Sequence, residues 1–292
     1  MAPLLIADVP WLLYRAYFSL PKSITDARGH PVNALLGTVN ALLAAVEASS
    51  PRAVAACLGA ENAAYRVRLY PAYHAHRPPM PAELARQWRQ APALLASFGW
   101  TVSESGELEA DDVMFSLAQS EGRKGGLALL LTADRDLYAA VDERVAILEL
   151  PKRGGRAGHI GPEQVRERYG VEPRLVSDFI ALRGDPSDGI PGAPGVGAKT
   201  AAELLQAFGT LEEVLVAAGQ PGTVIAGQMR PRLAAVLREH ADELRMFKHL
   251  ATLQRVPVRR PRDAPTDYAA GARAARKLGM ERLAQRLDAL AA

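Results

Sequence analysis

The chain has little cysteine and no long apolar run. Cys57 is the one cysteine among 292 residues, so a disulfide framework is impossible and a reducing compartment is favoured. The N-terminal stretch MAPLLIADVPWLL lacks a basic region and soon reaches Asp8, which is not the pattern of a signal peptide. No run approaches the roughly 20 apolar residues of a membrane span. We therefore predict a cytoplasmic protein with no membrane partner.

Further absences disfavour two classes of enzyme. The sequence has no Cys/His spacing of a zinc site, no P-loop lysine motif, no long repeat and no low-complexity tail. Its formal net charge is only +3, with a pI near 9.1, which permits a nucleic-acid partner without requiring one. Zinc enzymes and P-loop nucleotide hydrolases are thus disfavoured.

Apolar patterning predicts an α/β fold in the first part of the chain. Buried strands are expected at residues 3–9, 51–59, 126–137 and 144–150, and helices at 33–49, 81–99 and 111–122. Strands alternating with helices indicate a mostly parallel sheet with helices on both faces, whose chemistry gathers at the carboxyl ends of the strands. After about residue 160 the pattern becomes short helical units, with a basic extended stretch at 254–267 before a last helix.

Acidic residues lie at the ends of the predicted elements. They form four groups: Asp8; Glu109, Asp111 and Asp112; Asp134 and Asp136; Asp185 and Asp188. Taken one group at a time, structural explanations compete with functional ones. Acids in a first helical turn are stabilised by the helix dipole by about 0.3–1 kcal/mol each, and Asp is common in turns.

If the four groups converge in the fold, the structural explanations for single groups no longer suffice and a metal site is indicated. Carboxylates brought together repel one another and raise one another's pKa unless cations lie among them. All-oxygen ligand sets suit Mg²⁺ or Mn²⁺ rather than zinc. Such sites hydrolyse phosphodiesters, because one metal generates hydroxide and a pair about 4 Å apart clamps the attacking and leaving oxygens. The acids therefore predict a metal-dependent nuclease.

A glycine-rich stretch, GIPGAPGVGAKTAAELL, provides a second signal. Gly192, Gly195 and Gly197 directly precede a helical pattern that contains Lys199 and Thr200. Glycines let backbone N–H groups approach a phosphate, and the helix start adds the positive end of a dipole. The spacing fits a helix–hairpin–helix element that grips a DNA backbone. The alternative is a tight turn that contacts only protein.

Residues 65–89 interleave cations with aromatic side chains. Arg66, His74 and Arg77 alternate with Tyr65, Tyr70, Tyr73 and Trp88. This mixture suits single-stranded nucleic acid. A solvated loop followed by an amphipathic helix explains it equally well.

Together these segments resemble the 5′ nuclease family of flap endonucleases and 5′–3′ exonucleases, which includes the N-terminal domain of bacterial DNA polymerase I. The matching stretches, in the family's order, are LLIADVPWLLYRAYFSL, YPAYHAHRPPMP, LEADDV, LTADRDLY and LRGDPSDGIPGAPGVGAKTAAELL. The resemblance covers nearly the whole chain. It implies a PIN-like α/β nuclease core over residues 1–160, with a helical arch or clamp at about 65–95. A helical DNA-binding region would follow over 161–292, with a helix–three-turn–helix element at about 173–208 and a C-terminal segment that packs back on the core.

The resemblance also implies roles for single residues. Two or three Mg²⁺ or Mn²⁺ ions would be held by Asp8, Glu109, Asp111 and Asp112 at the first site, by Asp136, Asp185 and Asp188 at the second, and by Asp134 between them. Asp134 would also act in catalysis, together with Arg15, His74 and Arg77. DNA would be contacted by Arg66, Arg77, Gly192, Gly195, Gly197, Lys199 and Thr200, and a K⁺ ion would lie at Ser187.

Two positions depart from the family pattern. Gly59 stands where the second strand usually ends in an aspartate of the first metal site, and Glu61 follows closely. His74 stands where a lysine usually faces the reacting phosphate, whereas Arg77 is retained. We therefore expect a weakened first site, with a higher metal requirement or a preference for Mn²⁺. We also expect His74 to act as a cation only when protonated, so that activity shifts between pH 5 and 8.

The predicted function is that of a structure-specific bacterial 5′ nuclease in primer removal or repair. It would act as a monomer on DNA with a 5′ flap, a nick or a 5′ end, and on RNA–DNA hybrids. The alternative is a catalytically weakened member that binds branched DNA without cutting it, which only the two departures support. A toxin-like RNase has a similar acid site but does not explain the glycine-rich stretch.

Overall fold

A six-stranded sheet forms the centre of the molecule. The computed structural model describes residues 1–150, 158–220 and 229–292. The strands are β1 (Leu4–Asp8), β2 (Ala53–Leu58), β3 (Thr101–Glu104), β4 (Ala128–Leu131), β5 (Val145–Glu149) and β6 (Gly158–Ile160). Their order is β3-β2-β1-β4-β5-β6, and only the β5–β6 pair is antiparallel. The predicted mostly parallel sheet is confirmed.

The central strands are apolar because helices cover both faces of the sheet. Every residue of β1 is buried, and its alternate residues enter different cores. The two edge strands, β3 and β6, were not predicted. Their sequences, TVSE and GHI, are short and partly exposed, and therefore lack the apolar signature of a strand covered on both faces.

Helices from the first part of the chain surround the sheet. They are α1 (Val9–Ser19), α2 (Asn33–Ser49), α3 (Ala64–Leu69), α4 (Ala82–Ala96) and α5 (Ala110–Arg123). α1, α2 and α4 pack on one face, and α5 packs on the other. α4 is tied to α2 because the buried Gln87 accepts a hydrogen bond from the backbone N–H of Ala34 at 2.8 Å. The second half of the segment predicted as an arch, α4, therefore packs against the sheet and α2.

The described residues after β6 are mostly helical, as expected. They contain α6 (Pro162–Tyr169), α7 (Val176–Arg183), α8 (Ala198–Phe208), α9 (Leu211–Gly219), α10 (Pro231–Glu239), α11 (Ala241–Ala251), α12 (Tyr268–Lys277) and α13 (Glu281–Ala291). α7 and α11 pack on the α5 side of the sheet, whereas α12 and α13 return to the opposite face. No helix in the described parts of the chain is long and apolar enough to span a bilayer.

An extended strap (residues 252–267) connects the two faces. It begins at the start of α5, where the Gln254 N–H donates to Asp112 at 2.7 Å. Further along, Arg260 donates to the buried Glu121 at 2.6 Å. The strap ends beside α4, where the N–H of Asp267 donates to the Phe98 carbonyl at 2.8 Å. It therefore fixes the helical part to the sheet along the length of α5.

β4 is shorter than the strand predicted at residues 126–137. It ends at Leu131, and a 3₁₀ helix spans Asp136–Ala140. The Asp134 N–H donates to the Thr132 hydroxyl at 3.0 Å, and the Asp136 N–H donates to Asp134 at 2.9 Å. These side-chain bonds to the backbone replace the strand with a turn.

Candidate active site

Asp8 and the residues after β4 meet where the sheet reverses its order. β1 has β2 on one side and β4 on the other, which makes this edge a topological switch point, the usual ligand crevice of such sheets. Asp8 ends β1 and caps α1, because its Oδ1 accepts from the Trp11 N–H at 2.9 Å. The Thr132 hydroxyl donates to its Oδ2 at 2.8 Å. Asp8 is thus fixed over the gap between two strands.

The start of α5 brings further acids to the same edge. Glu109 is the N-cap of α5, and its N–H donates to the Asp112 carboxylate at 3.3 Å in a capping box. Asp111 follows on the first turn and lines the cavity beside Asp8. No described residue donates a hydrogen bond to the Asp111 side chain.

A cavity of about 460 Å³ lies among these groups. Its acidic lining residues are Asp8, Glu61, Glu109, Asp111, Asp134, Asp136 and Asp188. Asp185 and Ser187 line an adjoining opening with Asp134 and Asp136. The structure thus gathers every predicted metal-ligand acid except Asp112. The acids are spread around the cavity wall. In the described ranges, no three acid, His or Cys side chains are close enough together to form a group that could hold an ion as they stand.

The charged forms of four of these carboxylates are destabilised by their surroundings. Burial raises the pKa of Asp8 to about 6, and the charge of Asp134 adds to the effect. Burial, followed by repulsion from Asp134, raises the pKa of both Asp111 and Asp136 well above the ordinary range. The pKa of Asp134 is also raised by burial. None of the four forms a salt bridge with a described residue. Their oxygen donors and uncompensated charge fit divalent cations.

Arg66 lies in the wall of the cavity rather than on the outer surface. It is 3% exposed, and its guanidinium donates to Glu109 at 2.7 Å and to both oxygens of Asp112 at 3.0 Å. Its Nε donates to the Leu250 carbonyl at 3.1 Å. We predicted a DNA contact for Arg66, but the structure directs its charge into the protein.

Asp112 faces this internal cation. It is fully buried, and its Oδ1 accepts from the backbone of Gln254 as well as from Arg66. Its Oδ2 accepts from Arg66 and from the Glu109 N–H. Predicted as a ligand of the first ion, Asp112 is instead turned away from the cavity and holds Arg66 and the strap against α5.

Asp188 differs from the unpaired acids because it already has cations. Nε2 of His74 and Nη2 of Arg77 each lie 3.0 Å from its Oδ1. Burial would raise the pKa of Asp188, but the hydrogen bond and charge of His74 and the charge of Arg77 together lower it. Nδ1 of His74 lies 2.6 Å from Oδ1 of Asn62. The ring of His74 is therefore held between Asn62 and Asp188, with one nitrogen at each.

Asp185 and Ser187 lie in the turn between α7 and α8. Asp185 Oδ1 accepts from the N–H of Ser187 at 2.8 Å and from its hydroxyl at 2.5 Å. Arg183 donates to the other oxygen at 3.2 Å. Ser187, the predicted neighbour of a K⁺ ion, therefore lies at the acid cavity, and its hydroxyl proton points to Asp185.

The predicted DNA-binding loop lies outside the cavity lining. Gly192 has a φ of 72°, and a Cβ there would come within 2.3 Å of the Gly184 nitrogen, so this turn requires glycine. Gly195 and Gly197 face open space, and Gly197 is the N-cap of α8. The Lys199 side chain is 90% exposed.

Two other predicted residues are also peripheral. Thr200 lies in the first turn of α8 and is partly exposed. Arg15 is exposed on α1, with its guanidinium 5.6 Å from the ring centre of Trp11. Because Trp11 lines the cavity, Arg15 lies near its mouth.

Gly59 lies where the end of β2 touches the segment before α5. A Cβ at Gly59 would come within 2.5 Å of the Leu108 oxygen and of the Glu109 carbonyl carbon. A carboxylate at this position therefore requires movement of α5. Glu61 lies on the cavity wall, where it accepts a hydrogen bond from the Tyr14 hydroxyl at 2.5 Å.

Sequence reasoning missed Thr132 and Asn62, and it did not foresee that Tyr73 contacts the acids. Thr132 stands two residues before Asp134, and that short spacing was a usable signal for a side-chain turn. Tyr73 donates to Glu109 at 3.0 Å across 36 positions, and no local pattern reveals such a contact. The same holds for Asn62, which reaches the site through a histidine side chain.

The fold and the unpaired carboxylates define the class of divalent-metal α/β hydrolases. Family models match both parts of the chain: the 5′–3′ exonuclease N-terminal resolvase-like domain over residues 3–170, and the 5′–3′ exonuclease C-terminal SAM fold over 171–266. A 5′–3′ exonuclease of Mycobacterium tuberculosis is 35% identical over 254 residues, covering 80% of this chain and 79% of that protein. The thermostable DNA polymerase I of Thermus thermophilus is 42% identical over 212 residues, or 72% of this chain and 25% of the polymerase.

The chain therefore belongs to the 5′–3′ exonuclease family, whose members hydrolyse phosphodiester bonds with divalent metal ions. It spans about a quarter of the length of the polymerase relatives that it matches. A T5 5′-exonuclease with bound divalent metal ions has a TM-score of 0.66 at 18% identity, covering 99% of this chain and 100% of that one. The catalytic core of Rad2 in complex with DNA substrate gives 0.64 at 12% identity, with 98% and 91% covered. At these identities the likeness concerns the fold, and the predicted family and fold class are confirmed.

Proposed function

We propose that this chain is a structure-specific 5′ nuclease that cuts DNA at a 5′ flap, a nick or a 5′ end, and at RNA–DNA hybrids. The observation that carries the proposal is the set of four unpaired carboxylates at the switch point of a 5′–3′ exonuclease fold. A T5 relative of this fold is described as a flap endonuclease in complex with DNA and metal ions, which supports the substrate class. We further propose that the chain acts as a monomer and removes primers and repair flaps, which carry such 5′ ends.

The acids would hold two or three Mg²⁺ or Mn²⁺ ions. The residues facing them would be Asp8, Glu109 and Asp111 at the first ion, Asp136, Asp185 and Asp188 at the second, and Asp134 between. Such ions supply an activated water and neutralise the leaving oxygen. Asp112 positions Arg66 instead, because it is fully buried against that guanidinium and does not line the cavity.

The cations of the chain would bind the DNA itself. Arg77 is 42% exposed on the cavity wall, and its planar guanidinium suits a phosphate. His74 would add a second donor, and Arg15 a contact near the mouth. The open glycine loop and Lys199 would hold the backbone of the duplex, with a K⁺ ion at the turn of Ser187.

A labelled 5′-flap duplex tests the proposal. With Mg²⁺ or Mn²⁺ the protein should cut near the junction. Asp134→Ala should abolish cleavage and retain binding, while Glu143→Ala, which removes an exposed acid outside the cavity, should cut normally. Tight binding without cleavage that depends on Asp134 contradicts a nuclease and favours the branched-DNA-binding alternative.

The two departures from the family pattern give separate tests. Because no carboxylate occupies position 59, the Mg²⁺ concentration for half-maximal activity should exceed that of the Mycobacterium relative. Equal values would disprove a weakened first site. His74→Lys should flatten the activity profile between pH 5 and 8, and an unchanged profile would rule out a role for the charge of His74.

A further inference from the structure

Asp188 joins the two halves of the active site. Its carbonyl accepts from the His74 N–H at 3.1 Å, and its carboxylate receives His74 and Arg77 at 3.0 Å each. Arg77 also donates to the Ser187 carbonyl at 3.2 Å. These bonds, together with the contact from Asn62 to His74, are called the latch. They hold the loop before α4 against the turn between α7 and α8.

The latch engages a proposed metal ligand, Asp188, and a proposed phosphate-binding residue, Arg77, at the same time. One oxygen of Asp188 is shared by His74 and the Arg77 guanidinium, which compete with a metal ion for the same lone pairs. The Arg77 guanidinium, in turn, is engaged by Asp188 and Ser187 rather than presented to a phosphate. His74 adopts a φ of 57°, an uncommon conformation for a residue other than glycine, and the latch maintains it.

We propose that the latch closes in the DNA-free protein and that a DNA phosphate opens it, so that DNA and metal ions bind cooperatively through Asp188. The proposal rests on the proposed function, because the phosphate that opens the latch is that of the nuclease substrate. Asn62 is a positioning residue here, because its contact with Nδ1 holds the His74 ring with Nε2 facing Asp188.

The cooperativity follows from competition. A metal ion that binds alone must separate Asp188 from its cations, and a phosphate that binds alone must separate Arg77 from Asp188. Once either has bound, the other finds its partner already released. The affinity of each is therefore reduced by the fraction of open protein, and the coupling is reciprocal.

The first test measures Mn²⁺ affinity of the DNA-free protein by titration calorimetry. Arg77→Ala should tighten Mn²⁺ binding by about threefold to tenfold, the range expected for an ion pair of this exposure. Arg135→Ala is the matched control: Arg135 is an exposed cation between Asp134 and Asp136 and forms no salt bridge with a described residue. Equal tightening in both variants would reduce the effect to lost positive charge and overturn the latch.

The second test measures the affinity for a short 5′-flap duplex by fluorescence anisotropy, with and without Ca²⁺, under conditions where a gel shows no cleavage. Coupling is the factor by which Ca²⁺ increases the affinity for the duplex. In Arg77→Ala this factor should fall by the same ratio by which the metal affinity of the variant rises. Asn62→Ala, which removes an exposed side chain, should shift both quantities in the same direction by a smaller factor. Unchanged coupling in Arg77→Ala refutes the latch. A wild-type protein that neither binds nor cuts the duplex refutes the nuclease instead.

Discussion

Replacement of Gly59 tests whether the close contact between β2 and α5 sets the geometry of the acids. A Cβ at position 59 would come within 2.5 Å of the carbonyl carbon of Glu109. An ordinary carbon–carbon contact is about 3.5 Å or more. The start of α5 would therefore have to move by about 1 Å, carrying Glu109 and Asp111 with it.

The expected magnitudes follow from this displacement. Overpacking of this kind costs about 1–3 kcal/mol, and misplacement of a catalytic group by about 1 Å costs on the order of 10²-fold in rate. Gly59→Ala should therefore lose both stability, measured by urea unfolding, and flap cleavage, measured at saturating Mn²⁺. Gly59→Asp should behave no better, because the clash comes from the Cβ and precedes any benefit of the carboxylate.

Gly106→Ala is the control, because this glycine lies in the connection from β3 to α5 that Gly59 touches and has no atom near the position of a Cβ. It should change stability by less than about 0.5 kcal/mol and leave activity within twofold. If Gly59→Ala matched this control, the close contact would not determine the position of α5. If Gly59→Asp raised activity at low Mg²⁺, the reasoning that excludes a side chain at this position would be refuted.

Further predictions concern charge. The pKa of Asp8 rises from 3.8 to about 6 on folding, so its protonation stabilises the metal-free protein below pH 4, and this contribution, at most about 3 kcal/mol, is lost as pH rises to about 6. Asp111→Asn should raise the urea midpoint at pH 7.5 in EDTA and reduce the increase in midpoint that Mg²⁺ produces. A lowered midpoint in EDTA would contradict the charge repulsion. Arg66→Ala should lower the free energy of unfolding in urea by about 3–5 kcal/mol, because it leaves two carboxylates without their cation. Arg68→Ala, which removes an exposed neighbour, should not lower it by this amount. Similar losses in both variants would contradict a buried ion pair at Arg66. Lys199→Ala should weaken duplex binding at every sequence and lower the salt slope of log affinity by about 0.9, and an unchanged slope would place the duplex elsewhere.

Local patterns predicted the framework of this molecule because the acids follow apolar strands or begin helices. β1 ends in Asp8 after a fully apolar run, and α5 begins with acids of the kind that a first helical turn favours. Parallel strands end at a common edge, so the convergence of these acids could be expected before the structure was known.

The partners of those acids could not be predicted in the same way. Arg66 is drawn to Asp112 across 46 positions, and Asn62 reaches the site only through His74. From the sequence, Arg66 and Asp112 looked like a surface cation and a metal ligand. Burial turned them toward each other, and burial depends on the packing of α11 and the strap, which no local pattern encodes.

The bonds of Arg66 and Asp112 also bear on when the site can form during synthesis. Arg66 takes its carbonyl partner from Leu250, 184 positions away, and Asp112 takes a donor from Gln254, 142 positions away. Contacts of such long sequence separation form late in folding. A nascent chain that has emerged only as far as α7 carries every acid up to Asp178 but lacks the segment that completes the buried pair. Nuclease competence should therefore arise only after residues 250–254 have been synthesised and have packed against Arg66 and Asp112.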